Sequence, residues 1–171
     1  NDYPQAISWY EKAIEIDPND ARANNIGDAY RAQNDYPQAI SWYEKAIEID
    51  PKYVWEYCKV GDAYCAQNDY PQAISWYEKA IEIDPEYAWA YCKVGDAYCA
   101  QNDYPQAISW YEKAVEIDPK YAQAYAEAYK NMGDAYDAQG NNSKKISCYQ
   151  QAAELGNSEA QEWLKEYGIN R

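Results

Sequence analysis

Apolar side chains return every three or four residues through most of this chain, and short polar turns interrupt them at regular intervals. The stretch 54–87 shows the pattern. Tyr57, Val60, Gly61 and Tyr64 recur at helical spacing, and after Gln67-Asn68-Asp69 a second set runs Tyr70, Ala73, Ile74, Tyr77, Ala80 and Ile81. Such spacing gathers the apolar residues on one face of a helix. Two helices joined by a tight turn are therefore predicted. The second opens on Asp69-Tyr70-Pro71-Gln72. Asp69 suits an N-cap, Gln72 three residues on completes a capping box, and Pro71 falls in the first turn, where its missing N–H costs little. Asp84-Pro85 ends the unit, because the residue before a proline is pushed out of the helical region. The same pair is also suited to begin the next helix.

The pattern is a repeat. The string NDYPQAISWYEKAIEIDP starts at residues 1, 34 and 68, and returns at 102 with Val115 in place of Ile, so the spacings are 33, 34 and 34 residues. A period of this size predicts stacked two-helix units, none of which can bury its apolar face alone. Small residues explain how the helices approach: Gly61 and Ala73 remove bulk where the two helices of a unit cross, and Ala80 does so against the following unit. Tyr57, Tyr64 and Tyr77 fill the remaining space.

These residues resemble the tetratricopeptide repeat, whose signature is a large aromatic, then Leu-Gly, Tyr, Ala, an aromatic, Ala and Pro. Here it is carried by Tyr57, Val60, Gly61, Tyr64, Ala73, Tyr77, Ala80 and Pro85, and again by Tyr91, Val94, Gly95, Tyr98, Ala107, Tyr111, Ala114 and Pro119. The resemblance implies an all-α, right-handed superhelix of stacked antiparallel helix pairs, with first helices on the concave face and second helices on the convex face. It also implies an adaptor that holds peptide segments. The expected division is a lone second helix over 1–19, units over 20–53, 54–87 and 88–121, a degenerate unit over 122–157, and a capping helix over 158–171. The first full unit departs from the pattern at Ala23, where later units have Tyr57 and Tyr91, and its junction at Asn19-Asp20 is one residue short. Four residues, Ala122-Gln123-Ala124-Tyr125, are inserted in the last unit. That is close to one helical turn and should lengthen the helix without rotating its apolar face much. Lys145 stands where the family has a small Ala, and Ser158 with Gln161 reads as the cap of the final helix.

Composition narrows the function. The 171 residues carry 29 acidic and 15 basic side chains, a net charge of −14, with a pI near 4.3 and mean hydropathy −0.88. Nucleic acid and anionic membrane surfaces both demand a basic face, so neither is an expected partner. No stretch approaches the ~20 apolar residues of a membrane-spanning helix. The aromatic content is 21 Tyr and 7 Trp with no Phe, so packing must use rings whose polar tips need an outlet. The five cysteines follow the repeat rather than a disulfide framework, which points to reduced thiols in the cytoplasm.

The resemblance maps the concave surface onto exposed residues of each first helix. One stripe is Trp55, Cys58, Asp62 and Cys65 with Lys59 beside it; the next is Trp89, Cys92, Asp96 and Cys99 with Lys93. The first unit offers Asn24, Asp28 and Arg31, and the last Lys130, Asp134 and Asp137. Tyr53, Tyr87 and Tyr121 lie near the same surface. Asp28, Asp62, Asp96 and Asp134 would then form an inner row of carboxylates, suited to a basic ligand on which Trp and Tyr can stack. An alternative is a solvated row held partly by Lys59 and Lys93. Family members that clamp a free C-terminal carboxylate need Asn where this chain has Asp28, Asp62 and Asp96; only Asn25 and Asn131 with Lys130 are partial matches. Cys58, Asp62 and Cys65 share one helix face, as do Cys92, Asp96 and Cys99, but thiols seven residues apart are ~10 Å apart along the axis, too far for one metal ion to bridge easily. Neither metal nor cofactor is expected.

No catalytic constellation is visible. The chain has no His, so it has no His-based general base, and there is no glycine-rich phosphate loop. Carboxylates that recur with the period argue for structure, since an active site needs a unique geometry. The reading is a non-enzymatic scaffold for a basic or apolar peptide of a partner protein. Two alternatives stand beside it: a self-assembling module stacked end to end through its N-terminal end, and a consensus-like engineered scaffold.

Overall fold

The computed structural model describes residues 3–16 and 23–169. Ten α-helices account for nearly all of the described residues, and no strand occurs among them: α1 (Tyr3–Ile16), α2 (Ala23–Ala32), α3 (Tyr36–Ile49), α4 (Val54–Ala66), α5 (Tyr70–Ile83), α6 (Ala88–Ala100), α7 (Tyr104–Ile117), α8 (Ala122–Ala138), α9 (Asn142–Glu154) and α10 (Ser158–Glu166). A short 3-10 turn, Pro119–Tyr121, precedes α8. The chain divides into two compact units at Pro85 and Glu86. Helices α1–α5 make up the first and α6–α10 the second. In the first, α2 packs on α3 and α4 on α5, with α3 against α4; in the second, α6 packs on α7, α8 on α9, and α10 on α9. The short Asn19-Asp20 junction lies outside the described residues.

The turn inside each pair is built from backbone hydrogen bonds. Asn68 takes a left-handed conformation, φ 61°, which Asn tolerates better than most residues. Its N–H donates to the Cys65 carbonyl and that of Asp69 to the Tyr64 carbonyl, at 2.9 and 3.0 Å. These two bonds close α4 in a Schellman arrangement. Asp69 then caps α5, its carboxylate accepting from the Gln72 N–H at 3.3 Å. Asn34-Asp35 and Asn102-Asp103 repeat the device. The expected capping box is only half realised. The N–H of Asp69 is already spent on Tyr64, so the Gln72 side chain has nothing to satisfy there.

Two other capping expectations need correction. Asp50-Pro51 ends α3 but does not start α4. Asp50 is the C-cap, its carboxylate accepts from the Lys52 N–H at 3.1 Å, and α4 begins four residues later, at Val54, behind Tyr53, which offers no side-chain cap. Asp84 likewise closes α5, and α6 starts behind Tyr87. In α10 the cap is Asn157, not Ser158: its side-chain oxygen accepts from the Ala160 N–H at 2.9 Å. Gln161 reaches back to the Ala153 carbonyl instead.

Within each pair a glycine on the first helix meets a tyrosine ring from the second. A Cβ placed on Gly61 would lie 2.5 Å from the Tyr77 ring, one on Gly27 2.5 Å from Tyr43, one on Gly95 2.7 Å from Tyr111, and one on Gly133 2.6 Å from Tyr149. Ala39, Ala73 and Ala107, twelve residues after the first three glycines, are wholly buried. After Gly133 the same place holds Lys145, whose ammonium pairs with Asp137 at 2.9 Å and lies 4.6 Å above the Trp163 ring of α10. Helix α8 has 17 residues where α4 and α6 have 13, so the inserted turn lengthens it at its start.

Candidate peptide-binding groove

The carboxylate of each first helix belongs to the residue directly after the crossing glycine, and the tyrosine that fills the glycine notch points its hydroxyl at it. Tyr43 donates to Asp28 at 2.8 Å, Tyr77 to Asp62 at 2.8 Å and Tyr111 to Asp96 at 2.7 Å. Tyr149 donates to Asp134 in the same way. The row of Asp side chains is therefore the polar outlet of the buried tyrosines. The signal was present in the sequence: donor and acceptor stand fifteen residues apart in all four pairs. Burial and the neighbouring carboxylates push Tyr43, Tyr77, Tyr111 and Tyr149 well above the ordinary phenol range. The phenols stay protonated and remain donors.

At Asp28, Asp96 and Asp134 the second oxygen meets an ammonium. Lys59 reaches Asp28 on the preceding pair at 2.8 Å, Lys93 reaches Asp96 on its own helix at 3.1 Å, and Lys130 reaches Asp134 at 3.4 Å while also facing Glu127 and Glu159. The carboxylate side chains remain 40–48% exposed at Asp28, Asp96 and Asp134. They are accessible but partly neutralised.

The other predicted lining residues divide into surface and interior. Trp55 is exposed, Arg31 is exposed, and Trp89 is half-buried with Tyr87 beside it at 6.3 Å and Lys93 5.0 Å from its ring. Cys65 and Cys99 are half-buried, with their sulfurs 3.5 and 3.8 Å from the Tyr77 and Tyr111 hydroxyls. Cys58 does not line a groove: it is 0% exposed, and Cys92 only 8%. Both are core side chains, because their positions turn inward between helices. Burial, and then the Asp96 charge, push the Cys92 thiol up to about 12, which disfavours the nucleophilic thiolate. Lys59 is likewise buried. Asn24 is half-buried and donates to Glu56 at 3.0 Å. Asp137 is taken up by Lys145. No cluster of three or more possible ligands fit for a metal ion occurs among the described residues, and none of their helices is long and apolar enough to cross a membrane.

In the first unit, Asp28 and Asp62 come from successive first helices and line one pocket of about 290 Å³ with Arg31, Ala32, Tyr36 and Ala66. In the second, a crevice of about 430 Å³ is more apolar, formed by Tyr104, Pro105, Met132 and Tyr136 among others, with neither Asp96 nor Asp134 on its wall.

Each described pair from α2 to α9 joins a glycine notch to a tyrosine and turns through an αL residue, Asn34, Asn68, Asn102 or Gly140, and models of one family match almost throughout. TPR repeat models match residues 27–64 and 61–98, and tetratricopeptide repeat models match 86–158 and 1–20. The chain belongs to the tetratricopeptide repeat family. Its fold is the all-α TPR solenoid. Among solved structures it is similar to MamA, at 27% identity and TM-score 0.71, over 94% of this chain and 92% of that one. It also matches the C-terminal part of a TPR repeat-containing protein from Cytophaga hutchinsonii, at 24% identity and TM-score 0.75, over 92% of this chain and 65% of that one. A MamA RS-1 double mutant matches at 20% identity and TM-score 0.68, over 92% and 86%. The last two likenesses speak for the fold alone. No curated protein matches the chain. The TPR fold is one suited to protein–protein scaffolding.

Proposed function

We propose that this TPR chain is a non-enzymatic scaffold whose first helices hold a peptide segment of a partner protein, with a Lys or Arg of that segment seated between carboxylates. The observation that carries this is the pocket shared by Asp28 and Asp62, with the Tyr36 ring on its wall. Both carboxylates keep solvent access while their inner oxygens serve Tyr43 and Tyr77. A cation entering there meets two carboxylates, that of Asp28 shared with Lys59, and an aromatic face. In the second unit the Tyr104–Met132 crevice favours an apolar side chain of the ligand. The interior placement of Cys58 and Cys92 fits a reducing, cytoplasmic setting.

The test is isothermal titration with a Lys/Arg-rich extended peptide at several salt concentrations, against the chain and its Asp28→Asn/Asp62→Asn variant. Asn is the informative replacement, because its side-chain oxygen still accepts from the tyrosine while the charge is gone. Salt-sensitive binding that weakens at least several-fold in the variant is expected. Unchanged affinity in the variant, or affinity indifferent to salt, would remove the acidic-pocket reading.

A further inference from the structure

One interior side chain breaks the repeat. Five residues before the crossing glycine, α6 has Ala90 and α8 has Ala128, both buried. At the same place α4 has Glu56, and it is just as deeply buried, at 1% exposure. Its Oε1 accepts from the Asn24 amide of α2 at 3.0 Å. Its Oε2 has no hydrogen-bond partner. Lys59, on the next turn of α4, places its ammonium 2.8 Å from Asp28. The charged and titratable groups facing Glu56 are Lys59 on its own helix, Asp28 on α2 and the Tyr43 hydroxyl on α3.

A carboxylate in this position is costly. Burial without full hydrogen bonding disfavours the charged form, and Asp28 adds like-charge repulsion. Asn24 and Lys59 oppose this but do not outweigh burial, so the Glu56 carboxyl titrates above the ordinary glutamate range. The site is also where two pairs are joined: Asn24–Glu56 and Asp28–Lys59 both link α2 directly to α4. We propose that Glu56 is a proton-operated latch between the α2–α3 and α4–α5 pairs, closed while its carboxyl is protonated and loosened when it ionises.

The direction follows from linkage. Between the ordinary glutamate pKa and the higher folded value, the folded chain holds one proton more than the unfolded chain. Stability from this site therefore falls as pH rises through that window and is flat above it. Most carboxylates in folded proteins act in the opposite sense.

The experiment compares the chain with Glu56→Gln and Glu56→Ala, by thermal unfolding from about pH 4.5 to about pH 8 and by hydrogen exchange of the α2 amides. Gln keeps an acceptor for Asn24 and loses the charge; Ala restores the residue that α6 and α8 carry at this place. Both variants should melt above the parent near the alkaline end, the Gln variant by roughly 2–4 °C. The gap should shrink towards the acid end, and the parent's α2 amides should lose protection, relative to the Gln variant, as pH rises. A gap independent of pH, or a Glu56 carboxyl that titrates by NMR at the ordinary glutamate value, would overturn the latch.

Discussion

The bond between a buried tyrosine and its first-helix carboxylate can be tested by three substitutions at one pair. Tyr111 is 3% exposed, and its hydroxyl lies 2.7 Å from Asp96 Oδ1. The Asp96 side chain is 43% exposed and holds Lys93 on its other oxygen. Removing the hydroxyl (Tyr111→Phe) leaves Asp96 with water and Lys93 to turn to, so the loss is that of an ordinary net hydrogen bond, about 0.5–1.5 kcal/mol. Removing the acceptor (Asp96→Ala) strands a buried hydroxyl whose nearest substitute is the Cys99 sulfur at 3.8 Å, a weak acceptor. That costs about 1–3 kcal/mol, and the lost exposed Lys93 pair adds little. Asp96→Asn keeps an acceptor oxygen and should fall below Asp96→Ala. In the double variant Tyr111→Phe/Asp96→Ala no stranded hydroxyl remains, so its cost should be less than the sum of the two single ones. The assay is urea unfolding, with hydrogen exchange of α6 and α7 amides to localise the loss, since stability in a solenoid is roughly a sum over units and their interfaces. Equal losses for Asp96→Asn and Asp96→Ala, or strict additivity in the double variant, would show that the carboxylate is not the tyrosine's structural partner.

Two further outcomes follow from the same packing. Gly95→Ala places a methyl 2.7 Å from the Tyr111 ring, which its buried position and hydroxyl bond hold in place; overpacking of about 1–3 kcal/mol should exceed the ~1 kcal/mol that Ala gains over Gly in a helix, so denaturant unfolding should show a net loss. At alkaline pH the buried phenols of Tyr43, Tyr77, Tyr111 and Tyr149 stay protonated in the folded chain after they would ionise in the unfolded one. Stability should therefore fall as pH rises above the ordinary tyrosine pKa of about 10. Ultraviolet titration should show these tyrosinates appearing only with loss of helix, and their appearance in a fully helical chain would contradict the assignment.

Much of this molecule is set by short-range chemistry, and that part was legible in the chain. Apolar spacing, Pro at the second position of α3, α5 and α7, and Asp caps act within one or two turns. Helix positions and the 34-residue unit therefore follow from local sequence. The inserted turn is equally local: it adds its length to α8 and leaves the Asp134–Tyr149 spacing untouched. What required the tertiary structure was the direction in which each first-helix side chain points. The family resemblance put Cys58, Lys59 and Asp62 on one lining surface; packing of α4 between α3 and α5 turns Cys58 and Lys59 inward and leaves Asp62 at the rim. Glu56 is one charged residue among 44 in the chain, and nothing in its sequence neighbourhood distinguishes a solvated glutamate from one sealed at 1% exposure. Burial depends on the neighbouring helices that close over a site, and those come from more than thirty residues away.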